Sequence, residues 1–362
     1  MPRRYCLPFL AVVALACSKS QAPEQQAKAE SPPAPPVAPV ATPSVSASAA
    51  VASAAPSASA APSPPAYPVE FCGKKLGKDT TVINCQTEGV VDAPRDLAPL
   101  AAFPKLRSLQ IVSGPAGMPA NDLSPLAGLT ELREIVILEI RTKSLEPLAG
   151  LTKLEKLVLI HTHVSDLGPL AKLTRLRELN LSWARNVSDV TPLGGLRELE
   201  KLSLSGVSLG DLTQLEPLTK LKELRIDSTK VTDLTPLQKL PNLRELDLDG
   251  CKELAELGPL GGLTQLERLR LGNTKVTDLT PLAGLTSLTD LGLGRCKLLT
   301  DVSPLAKLSK LEHLNVSDSG LADASPLYGL TQLKTLQVYG TRVPESQKEE
   351  LAAKLTSAKI HK

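Results

Sequence analysis

The chain repeats one pattern every 22 or 23 residues over most of its length. Leucine or isoleucine, any residue and a second apolar residue recur eleven times, starting at Leu109, Ile135, Leu157, Leu179, Leu202, Leu224, Leu246, Leu269, Leu291, Leu314 and Leu336. After a first step of 26 residues, successive starts are 22 or 23 residues apart. The nine residues TKVTDLTPL occur twice, at 229–237 and at 274–282, two units apart. A fixed period of this length predicts a solenoid of stacked units.

Two further positions recur in every unit. The first is a leucine, preceded by proline in all units except the one where Gln214 stands: Leu100, Leu126, Leu148, Leu170, Leu193, Leu215, Leu237, Leu260, Leu282, Leu305 and Leu327. The second is an aspartate three residues before that proline, replaced only by Ser144 and Glu256: Asp96, Asp122, Asp166, Asp189, Asp211, Asp233, Asp278, Asp301 and Asp323. An aspartate there can cap the free N–H groups of a short helical turn, and proline is tolerated in a first turn. Aromatic residues are only 2% of the chain, so leucine must fill the core.

The consensus unit, L-x-x-L-x-L-x-x-T-x-V-x-D-L-x-P-L-x-x-L, resembles the leucine-rich repeat of the 22-residue, internalin-like class. The resemblance covers roughly Thr81 to Tyr339. It implies an α/β-type solenoid with a parallel β-sheet on the concave face and short 3-10 or helical turns on the convex face. We assign the repeats to residues 106–342 and expect a C-terminal cap over 343–362. Its capping helix is expected at VPESQKEELAAKL (343–355), with Leu351 and Leu355 on one face.

The N-terminus has the features of a targeting segment. Arg3 and Arg4 precede an apolar stretch from Tyr5 to Ala16, which is too short to span a bilayer as a helix. The stretch ends VALAC, which resembles the lipobox of bacterial lipoproteins. The resemblance implies a signal peptide at 1–16, a lipid-bearing Cys17 and, because Ser18 follows, sorting to the outer membrane. An ordinary signal-peptidase cut after Ala16 is the alternative.

Residues 17–67 join this segment to the repeats. Beyond Cys17 they consist largely of Ala, Pro and Ser, with few large apolar side chains to offset the entropy lost on ordering. We therefore expect a disordered tether that holds the folded part away from a membrane. An idle spacer is the alternative interpretation.

The six cysteines fall into separate groups. Cys72 and Cys85 lie in the segment that we assign to an N-terminal cap, residues 68–105. In an exported protein we expect them to form a disulfide, although two free thiols would fit the same spacing. Cys251 and Cys296 replace the repeat's inward threonine two units apart, which is too far for a bridge. We expect these two to be core cysteines.

The residues between and after the strand leucines should project from the concave face. Apolar residues gather near its N-terminal end, and the chain's single tryptophan lies one unit further along. We name as a candidate ligand-binding patch Val136, Leu138, Val158, Ile160 and Trp183. The alternative is that the N-terminal cap or the loop SGPAGMPAND (113–122) covers these residues. Further along, the face from Arg225 to Arg270 is charged.

The remaining sequence patterns give little evidence for a metal site or a catalytic site. The pair His161 and His163 has metal-like spacing, but no third ligand is convincingly placed. Asp227, Asp247 and Asp249 could hold Ca²⁺, but nearby arginines favour a solvated charge lattice. A net charge of +3 gives no electrostatic indication of nucleic-acid binding, and the phosphate-binding P-loop motif is missing. We therefore predict no enzyme activity, no metal and no cofactor. The expected function is a membrane-anchored envelope lipoprotein that binds a protein, with a structural or adhesive spacer as the alternative.

Overall fold

The computed structural model describes residues 67–86, 94, 96–112 and 121–362. The predicted signal peptide, Cys17 and nearly all of the tether lie outside the described residues. The repeats stack as one solenoid, which confirms the predicted fold class. Within the described part of the chain, no helix is long and apolar enough to cross a membrane.

Two short strands, β1 (Val69–Phe71) and β2 (Lys74–Leu76), form an antiparallel hairpin before the solenoid. The disulfide between Cys72 and Cys85 ties the turn of this hairpin to the first strand of the main sheet, with 5.7 Å between the Cα atoms. The expected pairing is therefore confirmed. Phe71 of β1 and Cys85 of β3 are buried and belong to the same hydrophobic core as the repeat leucines.

The main sheet contains thirteen described strands in sequence order, all parallel. They are β3 (Val82–Gln86), β4 (Ser108–Val112), β5 (Glu134–Leu138), β6 (Lys156–Ile160), β7 (Glu178–Asn180), β8 (Lys201–Ser203), β9 (Glu223–Arg225), β10 (Glu245–Asp247), β11 (Arg268–Arg270), β12 (Asp290–Gly292), β13 (His313–Asn315), β14 (Thr335–Gln337) and β15 (Lys359–His361). Repeat positions pair in register, as with Leu246 and Leu269. Eleven strands are those of the predicted pattern, and β3 and β15 extend the sheet at its two ends.

A short 3-10 helix lies opposite each predicted strand. The eleven are Ala98–Ala102, Ser124–Leu126, Glu146–Leu148, Gly168–Lys172, Thr191–Gly195, Thr213–Leu215, Thr235–Lys239, Gly258–Gly262, Thr280–Gly284, Ser303–Lys307 and Ser325–Gly329. The predicted caps form, because each of the nine aspartates accepts the N–H of the first helical residue at 2.7–2.9 Å. Proline occupies the first turn of all but one, as expected.

The strand ends in a backbone bend that recurs in ten successive units. The residue at the bend has a left-handed conformation in each of them: Glu139, His161, Trp183, Gly206, Ser228, Gly250, Asn273, Arg295, Asp318 and Gly340. Only three of the ten are glycines, although side-chain residues normally avoid this region. Backbone hydrogen bonds between successive units stabilise the bend. For example, the N–H of Trp183 donates to Ser205 O of the next unit at 2.7 Å.

Both ends of the stack behave as caps. The helix α1 (Glu345–Lys354) buries Leu351, and Leu355 follows it into the core, which confirms the predicted capping helix. Beyond it, Ile360 of β15 pairs with Leu336 and adds a strand that the repeat pattern does not predict. Cys251 and Cys296 are buried free thiols, as expected, and each donates to a backbone carbonyl of the preceding unit.

Candidate functional site

The four aliphatic residues of the candidate patch lie together on two neighbouring strands. Val136 of β5 pairs with Val158 of β6, and Leu138 pairs with Ile160, so the four form one block on the sheet face that points away from the core. We call this face, which corresponds to the expected concave face, the outer sheet face. Val158 is only 5% exposed, and the other three are half-buried. The block is therefore contiguous but less exposed than a free apolar patch would be.

Trp183 does not continue the column of Ile160. It occupies the left-handed bend after β7, where its counterpart in the preceding unit is His161. The two rings lie 6.1 Å apart, and the guanidinium of Arg185 lies 5.4 Å from the indole centroid. On the other side the indole covers Gly206, where an added Cβ would lie under 3.0 Å from three ring carbons. The tryptophan is therefore half-buried and held on several sides.

The two alternatives for covering the patch concern neighbouring segments. Residues 113–120 of the loop SGPAGMPAND lie outside the described residues. The hairpin of β1 and β2 lies at the N-terminal end, where Phe71 packs into the core. The block begins at β5, which is two strands away from β3, the strand that carries Cys85 of the disulfide.

A buried polar ribbon continues the outer sheet face beyond the apolar block. Asn180 Oδ1 accepts both the N–H and the hydroxyl of Ser182, at 2.9 and 2.6 Å. The hydroxyls of Ser182 and Ser203 lie 2.8 Å apart, and Ser205 donates to Asp227. Burial without partners would be costly, so these bonds explain how polar side chains fill this part of the face.

Three aspartates follow the ribbon. Burial raises the pKa of Asp227 and Asp247, and burial together with the charge of Asp247 raises that of Asp249 to about 6. Asp249 Oδ1 accepts the N–H of Gly272 at 2.6 Å, and Arg270 lies 4.0 Å from Asp247. The carboxylates are therefore half-buried and hydrogen-bonded, rather than the solvated lattice that we expected.

The metal-ligand candidates are not brought together. His161 pairs with Glu139 of the preceding unit, and Thr162 between the two histidines is buried in the core. Over the described residues, no three His, Cys, Asp or Glu side chains form a group that could hold a metal ion.

The first column of the outer sheet face is a ladder of charges that alternate in sign except at the neighbours Glu223 and Glu245. Lys156 lies 3.3 Å from Glu178 and 3.7 Å from Glu134, and Arg268 pairs with Glu245 and lies 4.0 Å from Asp290. These pairs are partly exposed and stabilise the fold little individually. Because they neutralise each other from strand to strand, this column carries no extended field of one sign.

Sequence reasoning did not single out a groove near the C-terminal end of the outer sheet face. It encloses about 560 Å³ and is centred on Gly292 and Gly294, where two successive outward side chains are missing. Arg270 borders it on one side, and Asn315 and Tyr339 border it on the other. Glycine at two adjoining outward positions was the available signal, but only the stacked neighbours reveal the depression.

Comparisons with known proteins agree with this architecture. The family model described as leucine-rich repeats in two copies matches residues 219–262 and 264–307. A search of curated proteins gave no match. An internalin, InlF of Listeria monocytogenes, has 30% identity and a TM-score of 0.66 over 72% of this chain and 75% of its own.

Two other solved structures share the fold at lower identity. A leucine-rich-repeat protein of Leptospira interrogans has 18% identity and a TM-score of 0.53, over 79% of this chain and 84% of its own. The ectodomain of the plant receptor kinase GASSHO1/SCHENGEN3 from Arabidopsis thaliana has 18% identity and a TM-score of 0.52, over 73% of this chain and 36% of its own. These two structures share the fold only. The repeat frame and the match to InlF lead to one conclusion: this chain belongs to the internalin-like leucine-rich-repeat family.

Proposed function

We propose that this chain is an exported, lipid-anchored protein that binds another protein through the outer sheet face of its solenoid. Leucine-rich-repeat solenoids commonly serve protein–protein interaction and are typically non-catalytic. The plant receptor ectodomain with the same fold was solved in complex with CASPARIAN STRIP INTEGRITY FACTOR 2. That ligand belongs to the plant protein, and it supports only the general use of the fold.

The observation that carries the proposal is the apolar block of β5 and β6 beside Trp183. Protein interfaces are organised around apolar anchors surrounded by polar groups, and tryptophan is a favoured anchor. Here Leu138 and Ile160 pair across two strands, and the polar ribbon that starts at Asn180 borders them. The only tryptophan of the chain is held at the edge of this block by Gly206 and Arg185.

The N-terminal sequence supports the anchored location. In this proposal residues 1–16 are removed, Cys17 carries lipid, and the segment up to 67 tethers the cap at 68–105 and the repeats to the outer membrane. Mass spectrometry of the mature protein tests it, because lipidation adds acyl mass to Cys17 and a Cys17→Ser variant would lose it. A mature chain that begins at Cys17 without added mass would favour the ordinary signal-peptidase cut.

Affinity capture from the cell envelope tests the binding function. The wild-type chain and a variant with Leu138→Ser, Ile160→Ser and Trp183→Ser are used as baits, after circular dichroism has shown equal folding. Leu298→Ser is the matched control, because this leucine is 57% exposed outside the patch. A protein captured by the wild type and the control, but lost with the triple variant, is the expected result.

The other outcomes would contradict either the proposed patch or the proposed binding function. Equal capture by all three baits would remove the patch from the site. Capture of nothing by any bait would favour the structural or adhesive spacer, a role that the self-neutralised charge ladder of the outer sheet face would suit.

A further inference from the structure

The groove around Gly292 has a floor without side chains. A Cβ added to Gly292 would meet nothing closer than 3.7 Å, so the space above this residue is open. The amide of Asn315 covers Gly294, because a Cβ there would lie 3.0 Å from its Nδ2, so the amide borders the open floor at Gly292. The bordering leucines 269, 291 and 314 are turned into the core. A ligand can therefore approach the backbone of β12 directly, from the outer sheet face.

The rim presents planar polar groups in fixed orientations. Asn315 Oδ1 accepts the N–H of Ser317 at 2.9 Å and its hydroxyl at 2.6 Å. Because the oxygen is engaged twice, the amide N–H groups are directed over the floor. Arg270 is 48% exposed at the opposite rim, and Tyr339, which is 44% exposed, offers an aromatic surface at the end of the groove.

Charge and polarity restrict what the groove can bind. Two of its carboxylates, Asp227 and Asp249, are already bonded to Ser205 and Gly272. The other two, Asp290 and Asp318, are matched in number by Arg270 and Arg295. All four carboxylates carry charge when ionised, so a polyanion would meet four like charges and a polycation would meet two guanidinium groups. A protein anchor would find Tyr339 as the one exposed large apolar side chain in the lining.

We propose that this groove binds a neutral oligosaccharide, at a site separate from the apolar patch. Vicinal hydroxyls suit the paired donors of arginine and asparagine and the paired acceptors of aspartate. A sugar ring lies flat on a floor without side chains and packs against a tyrosine face. The groove extends from the bend after β9 to the bend after β14, about 24 Å at the usual strand spacing, which fits a short oligosaccharide. The inference goes beyond the proposed protein binding and does not depend on it.

Titration calorimetry of the full chain with neutral hexasaccharides tests the proposal. The probes are cellohexaose, maltohexaose, chitohexaose and mannohexaose at millimolar concentration, with dextran sulfate as a polyanion. Gly292→Trp fills the floor from an open position, and Arg270→Ala removes a rim donor without filling it. Gly284→Trp is the matched control, because Gly284 is exposed in the 3-10 helix of a neighbouring unit and has no atom within 4 Å of an added Cβ.

We expect at least one neutral hexasaccharide to bind the wild type and Gly284→Trp alike. Affinity should fall about tenfold or more in both Gly292→Trp and Arg270→Ala, a change of about 1.4 kcal/mol in binding. Arg270→Ala keeps the test valid if the tryptophan variant fails to fold. Binding of no neutral hexasaccharide, binding of dextran sulfate only, or equal affinity in all four proteins would each overturn the proposal.

Discussion

The indole ring of Trp183 lies directly over Gly206 of the following repeat, in space that any side chain at position 206 would occupy. Both residues have left-handed backbone conformations, and they occupy the same bend in adjacent units. Trp183, the anchor of the proposed protein site, can therefore take this position only because the next repeat has glycine at 206.

Gly206→Ala should displace this tryptophan. The added methyl group overlaps the ring and the left-handed backbone disfavours alanine, so we expect a loss of about 1–3 kcal/mol in the free energy of unfolding. Trp183 is the only tryptophan, so its fluorescence emission reports the displacement directly. Gly284→Ala, at an exposed and unobstructed position, should not lower stability and should leave the emission unchanged. Unchanged emission in Gly206→Ala would show that the indole is not held by this contact.

The disulfide should stabilise the N-terminal end of the stack. It closes a loop between residues 13 apart and joins the hairpin to β3, so the double variant Cys72→Ser, Cys85→Ser should lose about 2–4 kcal/mol. Urea denaturation with and without dithiothreitol measures this loss. Reductant should lower the wild-type midpoint to that of the double variant and leave the variant unaffected. A wild-type midpoint that does not respond, with the bridge shown to be reduced, would contradict the prediction.

Asp249 should make the solenoid less stable as the pH rises from about 4 to about 6. Its pKa is raised from 3.8 to about 6 in the folded chain, so the folded state binds more protons than the unfolded state in this interval. Asp249→Asn removes the buried charge while its side-chain oxygen can still accept the N–H of Gly272. We expect the variant to gain about 1–2 kcal/mol at pH 7. The gain should vanish near pH 3, as measured by urea denaturation across this range.

Asp278 should have the opposite dependence on pH. Hydrogen bonds from the side chain and backbone of Thr280 lower its pKa below 3.8, so its stabilisation is present above that value and is lost on further acidification. Asp278→Ala removes a cap and should lower the thermal midpoint at pH 7 but not at strongly acidic pH. Glu256→Ala is the control, because the exposed Glu256 occupies the same place in the preceding repeat. Equal midpoints of Asp278→Ala and the wild type at pH 7 would show that this cap contributes nothing.

Much of the fold follows from spacing alone. The period predicts the eleven strands, and the Asp and Pro positions predict the capped 3-10 helices. The left-handed bend could not be predicted in the same way, because residues such as His161 and Trp183 do not favour it locally. Hydrogen bonds to the next unit impose the conformation. Likewise β15 escapes the pattern, since Ile360 lacks the apolar partner two residues later that marks the other strands.

The candidate site was less accessible to sequence reasoning. Periodicity correctly placed Val136, Leu138, Val158 and Ile160 on one face and side by side. Their degree of burial depends on neighbours in other repeats, and so does the packing of Trp183 against Gly206. The groove at Gly292 is likewise a property of stacked side chains, because its depth is set by Arg270 and Asn315 in the adjacent units.

The two copies of TKVTDLTPL lie at equivalent places in a ladder whose strands pair only with their sequence neighbours. Recombination between the two coding copies would remove or add 45 residues, which is two whole units, and restore every junction within the same nine-residue sequence. Both caps would remain, and the strands would pair in the same register. Loss of two units would remove Arg270 and other residues of the C-terminal groove, whereas the apolar patch lies before both copies and would remain. The internal duplication thus allows this protein to evolve in length, by paired repeats, without passing through a misfolded intermediate sequence.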